Sequence, residues 1–147
     1  MSDHEDILSE AEREALAAAT APAAAPQKIL IVDDDPYASE LLAETLELYG
    51  FECLARNSAE AALDLLDKNR GIGLLITDLR MEPFDGLVLI KRIRESDKAA
   101  LPIIIVSGDA EVADAIAAMH LSVVDFLLKP IDVDKLVRLV RQELGIR

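Results

Sequence analysis

The feature that most constrains this chain is an alternation repeated five times from Lys28 onward: a short apolar run, then a stretch with apolar residues at helical spacing. The runs are KILIV (28–32), FECLA (51–55), LLIT (74–77), PIIIV (102–106) and VVDFLL (123–128). They are brief, rich in branched residues and without strict polar alternation, the pattern of strands covered on both faces. Between them, Pro36 stands at a first helical position, and Ala38, Leu41, Leu42, Thr45, Leu46 and Tyr49 make one face ending at Gly50. Asn57 and Glu60 have capping-box spacing ahead of Ala61, Ala62, Leu65 and Leu66. A third helix runs through Leu87, Ile90, Ile93 and Arg94. A fourth is predicted over Ala110–His120 with Val112, Ile116 and Met119 inward, and in a fifth Val133, Leu136, Val137, Val140 and Leu144 share a face.

Five strands alternating with five helices predict an α/β fold, a (βα)5 chain with a doubly wound five-stranded parallel sheet. Right-handed crossovers put the strands in flavodoxin-like order 2-1-3-4-5, with the site beyond their carboxyl ends near the first and third strands. The 147 residues have room for one such domain, and a 52% hydrophobic composition is enough to fill its core. Residues 1–27 stand apart. They carry six acidic residues and one basic, and end in the Ala/Pro-rich ALAAATAPAAAPQ (15–27). We read them as an acidic, flexible extension, with Ile7, Leu8, Ala11, Ala15 and Leu16 at the spacing of a marginal helix. The domain proper is 28–147.

A net charge of −13 opposes contact with phosphate backbones, so direct nucleic-acid binding is not expected. No apolar run approaches the roughly 20 residues that span a bilayer, and no signal peptide opens the chain. A lone cysteine, Cys53, fits a reducing cytoplasm, and two isolated histidines make no zinc site.

Chemistry concentrates where the topology says to look. The first strand ends in Asp33-Asp34-Asp35, the third in Asp78, the fourth in Ser107-Gly108 and the fifth in Lys129-Pro130. Singly each is ordinary; Asp-Asp-Asp-Pro is also a good helix start. All four on one sheet edge is the informative fact. Asp33, Asp34 and Asp78 are expected within a few ångströms of each other, and three such carboxylates need a compensating cation. Oxygen-only ligands with room for water suit Mg²⁺, and Lys129 adds a fixed positive charge. A carboxylate beside a divalent metal, a lysine and a hydroxyl is equipped to accept a phosphoryl group as an acyl phosphate.

KILIVDDDP (28–36), LLITDLRMEPFDG (74–86), PIIIVSGDA (102–110) and DFLLKPID (125–132) together resemble the receiver domains of bacterial two-component response regulators, in order and spacing across 28–147. The resemblance implies that Asp78 is the phosphoacceptor and Asp34 a direct Mg²⁺ ligand. Asp33 would be a ligand through water, and Arg80 a ligand by its backbone carbonyl. Ser107 would follow the phosphoryl group, Lys129 pair with it, and Phe126 act as the rotamer switch. It further implies a cis peptide at Lys129-Pro130. The expected donor is a histidine kinase or histidine phosphotransfer protein. The expected output is a downstream protein partner, or a phosphorylation-dependent homodimer through the face of the fourth helix, fifth strand and fifth helix, where Ala113, Ala117 and Leu139 lie. The resemblance also implies that the domain is no enzyme beyond catalysing its own phosphorylation and dephosphorylation.

Departures are Glu82 ahead of Pro83, Gly108 where alanine is commoner, and Ser122-Val123 where Gly-Ala is frequent. Arg80 and Asp109, each two residues beyond a site residue, are expected to pair across the opening and obstruct water; alternatively Arg80 folds over the phosphoryl oxygens, and in either case its loss is expected to speed dephosphorylation. With nothing after Arg147, we read a single-domain regulator; the alternatives are the receiver part of a longer regulator and a phosphorylation-independent pseudo-receiver. A haloacid-dehalogenase-like phosphatase shares the Asp33-x-Asp35 spacing, but Pro36-Tyr37 fits its continuation poorly. A flavin-binding protein of this topology would not place three aspartates against a phosphate.

Overall fold

The structure, a computed structural model, describes residues 27–81 and 85–146. Apart from Gln27, the extension read over 1–27 lies outside the described residues, as do Glu82 and Pro83. The elements run β1 (Lys28–Val32), α1 (Pro36–Glu47), β2 (Cys53–Arg56), α2 (Ala59–Lys68), β3 (Ile72–Asp78), α3 (Gly86–Arg94), β4 (Ile103–Ser107), α4 (Val112–His120), β5 (Asp125–Leu128) and α5 (Val133–Leu144). All neighbouring strands pair parallel, in the order β2-β1-β3-β4-β5.

The apolar runs lack alternation because the sheet is covered twice. Leu30, Val32, Leu75, Ile103 and Ile105 face α2 and α3 through Ala62, Leu66, Leu89, Ile90 and Ile93. Ile29, Ile31, Leu74, Ile76, Ile104 and Val106 face Leu46 of α1 and Leu136, Val137 and Val140 of α5. Each fully buried aliphatic side chain contributes about 1.5–3 kcal/mol, so the central strands dominate the fold's stability.

Two local expectations are corrected. The cap of α2 is Ser58, whose Oγ accepts from the Ala61 amide at 3.0 Å, one residue later than the Asn57 spacing implies. Asn57 instead donates to the Asp33 carbonyl at 2.8 Å and to Ser39 Oγ at 2.9 Å, tying the end of β1 to α1. The fourth helix turns the other way: Val112 (78%), Ile116 (50%) and Met119 (74%) are exposed, and Ala118 is buried. Periodicity locates a stripe but not the direction it faces; here the small alanine side meets the core.

Candidate functional site

Four of the five strands, β1, β3, β4 and β5, each deliver one polar group at the carboxyl edge of the sheet. Asp33 follows β1 directly, Asp78 closes β3, Ser107 closes β4, and Lys129 follows β5. Asp35 caps α1 by accepting from the Tyr37 amide at 3.0 Å, with Pro36 at the first helical position, so the chain turns away sharply after Asp34. That turn leaves Asp33 buried and Asp34 exposed.

Lys129 joins the strands. Its Nζ donates to Asp78 Oδ2 at 3.0 Å and to Asp33 Oδ2 at 3.2 Å, bridging the ends of β1, β3 and β5. The Lys129–Pro130 peptide is cis, as the resemblance implies. Burial pushes the Asp33 carboxyl above its ordinary value, while the Asp35 amide and the Lys129 charge pull it down. For Lys129, burial works against the charge, but the hydrogen bond and charge of Asp78, joined by Asp33, outweigh it and raise the pKa.

The remaining oxygens of the two carboxylates are held locally. Asp33 Oδ1 accepts from the Asp35 amide at 3.0 Å, and Asp78 Oδ1 accepts from the Arg80 amide at 3.1 Å. Ser107 is fully buried and folded onto its own turn, donating to the Asp109 carbonyl at 2.8 Å and accepting from the Asp109 amide at 3.2 Å. Since Asp78 is in register with Val106, Ser107 lies one residue beyond the level of Asp78. Phe126 is half-buried against the core on the α2–α3 side.

Two carboxylates against one ammonium leave this edge one positive charge short, and Asp34, next in the chain but exposed, does not close on Asp33 and Asp78 as the expected group of three. Among the described residues no three His, Cys, Asp or Glu side chains gather into a protein-built metal cage. An all-oxygen, charge-deficient edge of this kind fits Mg²⁺, which keeps several waters and needs only one or two carboxylates.

The ion pair expected between Arg80 and Asp109 does not form. The Arg80 guanidinium pairs with Asp114 in α4, Nη2 to Oδ2 at 2.7 Å. Spacing along the chain could not find this partner, because α4 starts at Val112 and brings Asp114 to the guanidinium of Arg80. Asn57, which pins the β1 end, was likewise hidden behind its resemblance to a helix cap. Gly108 leaves space beside Lys129, whose Cδ is 3.9 Å from where a Cβ would stand. Beside Asp33 and Lys129, a cavity of about 300 Å³ opens between α1 and the turn after β5, with Leu41, Leu42, Ile131 and Val133 as apolar walls.

The doubly wound sheet with an acidic edge bridged by one lysine defines the class, and similarity to known proteins assigns the family. The response regulator receiver domain family matches residues 29–141. A response regulator receiver protein from Pseudomonas putida is 49% identical, with a TM-score of 0.78 over 81% of this chain and 98% of that one. Among curated proteins, the C4-dicarboxylate transport transcriptional regulatory protein DctD of Pseudomonas aeruginosa is 35% identical over 86% of this chain, which spans 27% of DctD. The transcriptional regulatory protein FixJ of Bradyrhizobium diazoefficiens is 35% identical over 76% of this chain, which spans 54% of FixJ. This chain belongs to the response regulator receiver family of two-component signal transduction.

Proposed function

We propose that Asp78 accepts a phosphoryl group from a histidine kinase or a histidine phosphotransfer protein, and that the modified domain then changes its contacts with a partner. The observation that carries this reading is the Lys129 bridge, which holds one oxygen of Asp78 at 3.0 Å in a nearly buried, acidic pocket. An Asp78 oxygen attacks phosphorus; the new O–P bond forms as the N–P bond to the donor imidazole breaks, and the electron pair returns to that nitrogen. Lys129 already lies at the acceptor oxygen and balances charge on the arriving group. Asp33, Asp34, Asp78 and the Arg80 carbonyl would hold Mg²⁺, which supplies further neutralisation of the phosphoryl oxygens when bound. Ser107 reaches the modified residue by giving up its bonds to Asp109, and Phe126 takes the space this vacates. The apolar cleft beside Asp33 and Lys129 suits a protein donor better than a small phosphate ester, which would want polar walls.

The output face is α4, β5 and α5, where Val112, Ile116, Met119 and Leu128 are exposed. It serves a downstream protein or a second phosphorylated copy. Among the described residues no helix is long and apolar enough to cross a membrane. Phosphotransfer from a panel of autophosphorylated histidine kinases tests the reading. One kinase is expected to label the wild type rapidly and Asp78→Asn not at all; equal labelling of the variant would overturn it.

A further inference from the structure

We infer that Asp114 is a positioning residue for Arg80: it parks the guanidinium away from the acceptor until Asp78 is phosphorylated, and so sets how long the phosphoryl group survives. This rests on Asp78 being the acceptor. Residue 80 is tied to the site at both ends. Its amide donates to Asp78 Oδ1 at 3.1 Å, and its guanidinium meets Asp114 Oδ2 at 2.7 Å, 34 residues further along the chain. Asp114 is held in turn, because the same Oδ2 accepts from the Glu111 amide at 2.9 Å, at the start of α4. Its side chain is only 13% exposed, whereas that of Arg80 is 44% exposed. The carboxylate is therefore the fixed partner and the guanidinium the movable one.

Phosphorylation changes the balance between the two ends. An acyl phosphate on Asp78 carries more negative charge than the carboxylate and presents oxygens that a guanidinium binds in bidentate fashion. Since the Arg80 backbone already touches the acceptor, its side chain reaches the new group by rotation about its own torsions. A partly exposed ion pair is weak enough to be exchanged. Arg80 over the phosphoryl oxygens would hinder the in-line approach of water, and Asp114 competes against that placement. Departure of Arg80 also removes the one side-chain hydrogen bond described between the acceptor loop and α4, the helix whose other side carries Val112, Ile116 and Met119.

The test is the decay rate of the phosphorylated protein in a four-member set: wild type, Arg80→Ala, Asp114→Asn and the double variant, with intact mass recording the label. Asparagine keeps an acceptor for the Glu111 amide, so the helix cap survives while the charge that holds Arg80 is lost. Asp114→Asn is expected to slow decay by about two- to fivefold, the range an exposed ion pair supports. Arg80→Ala is expected to speed it, and the double variant to decay like Arg80→Ala, because Asp114 acts only through Arg80. Arg80→Lys, which keeps the charge but not the fork, should fall between wild type and Arg80→Ala. Faster decay in Asp114→Asn, or an equal effect of that substitution with and without Arg80, would overturn the positioning role. A wild-type chain that gains no phosphoryl group overturns the functional reading itself; one that gains it with unchanged decay in Asp114→Asn overturns the positioning role alone.

Discussion

Cys53 illustrates how strongly a single environment sets the chemistry of a residue. Half-buried on β2, its thiol is pushed up to about 12 by burial and then by Glu47 and Glu52. Against an ordinary value of 9.0, the thiolate at neutral pH is depleted about a thousandfold. Native Cys53 is therefore expected to react with iodoacetamide far more slowly than the urea-unfolded chain, and comparable rates would show the site to be open. Gly86 is constrained by backbone rather than by charge. A Cβ there would collide with the Asp78 carbonyl oxygen and crowd the Leu79 Cα, and its amide donates to the Leu79 carbonyl at 2.8 Å. Gly86→Ala is expected to cost about 2 kcal/mol or more and to disturb the loop after Asp78, while Gly108→Ala is near neutral because its Cβ meets only Lys129 at ordinary contact distance. Urea unfolding of both variants checks the contrast.

At the level of elements, the end of α4 carries a choice of residue that the fold resists. Ser122 adopts φ +58°, the left-handed conformation that closes the helix, where glycine would sit without penalty. Ser122→Gly is expected to raise stability by about 0.5–1 kcal/mol in chemical denaturation, and a loss would show that the serine makes a compensating contact. The central strands β1, β3 and β4 were legible because a doubly covered parallel sheet writes itself as uninterrupted apolar runs, whereas the edge strands β2 and β5, only partly buried and flanked or interrupted by Glu52 and Asp125, start two residues later than their apolar runs. The polar strand ends were legible for the same reason: each interrupts such a run. What periodicity could not supply was orientation and long-range partnership. The stripe of Val112, Ile116 and Met119 reads identically whether it meets a core or a partner, and Asn57 offers the same amide to a cap as to the Asp33 carbonyl. Arg80 finds Asp114 rather than Asp109 because the start of α4, and not chain spacing, decides which carboxylate reaches its guanidinium.

The whole molecule carries an acidic, lysine-bridged edge and, on α4, an apolar helix face that the fold leaves uncovered. Met119→Glu and Ile116→Asp are expected to leave folding intact, since both side chains are exposed, and to abolish any beryllofluoride-dependent self-association or partner binding. Sedimentation of wild type and variants with and without beryllofluoride checks this, and undiminished association would move the output to another face. The central claim is tested most directly by trapping the acyl phosphate. After treatment with acetyl phosphate and Mg²⁺, borohydride reduction converts a phosphorylated aspartate to homoserine, which peptide mass spectrometry locates. Conversion is expected at Asp78 alone; conversion at Asp33 or Asp35, or none at Asp78 under conditions that label another receiver domain, would overturn the assignment.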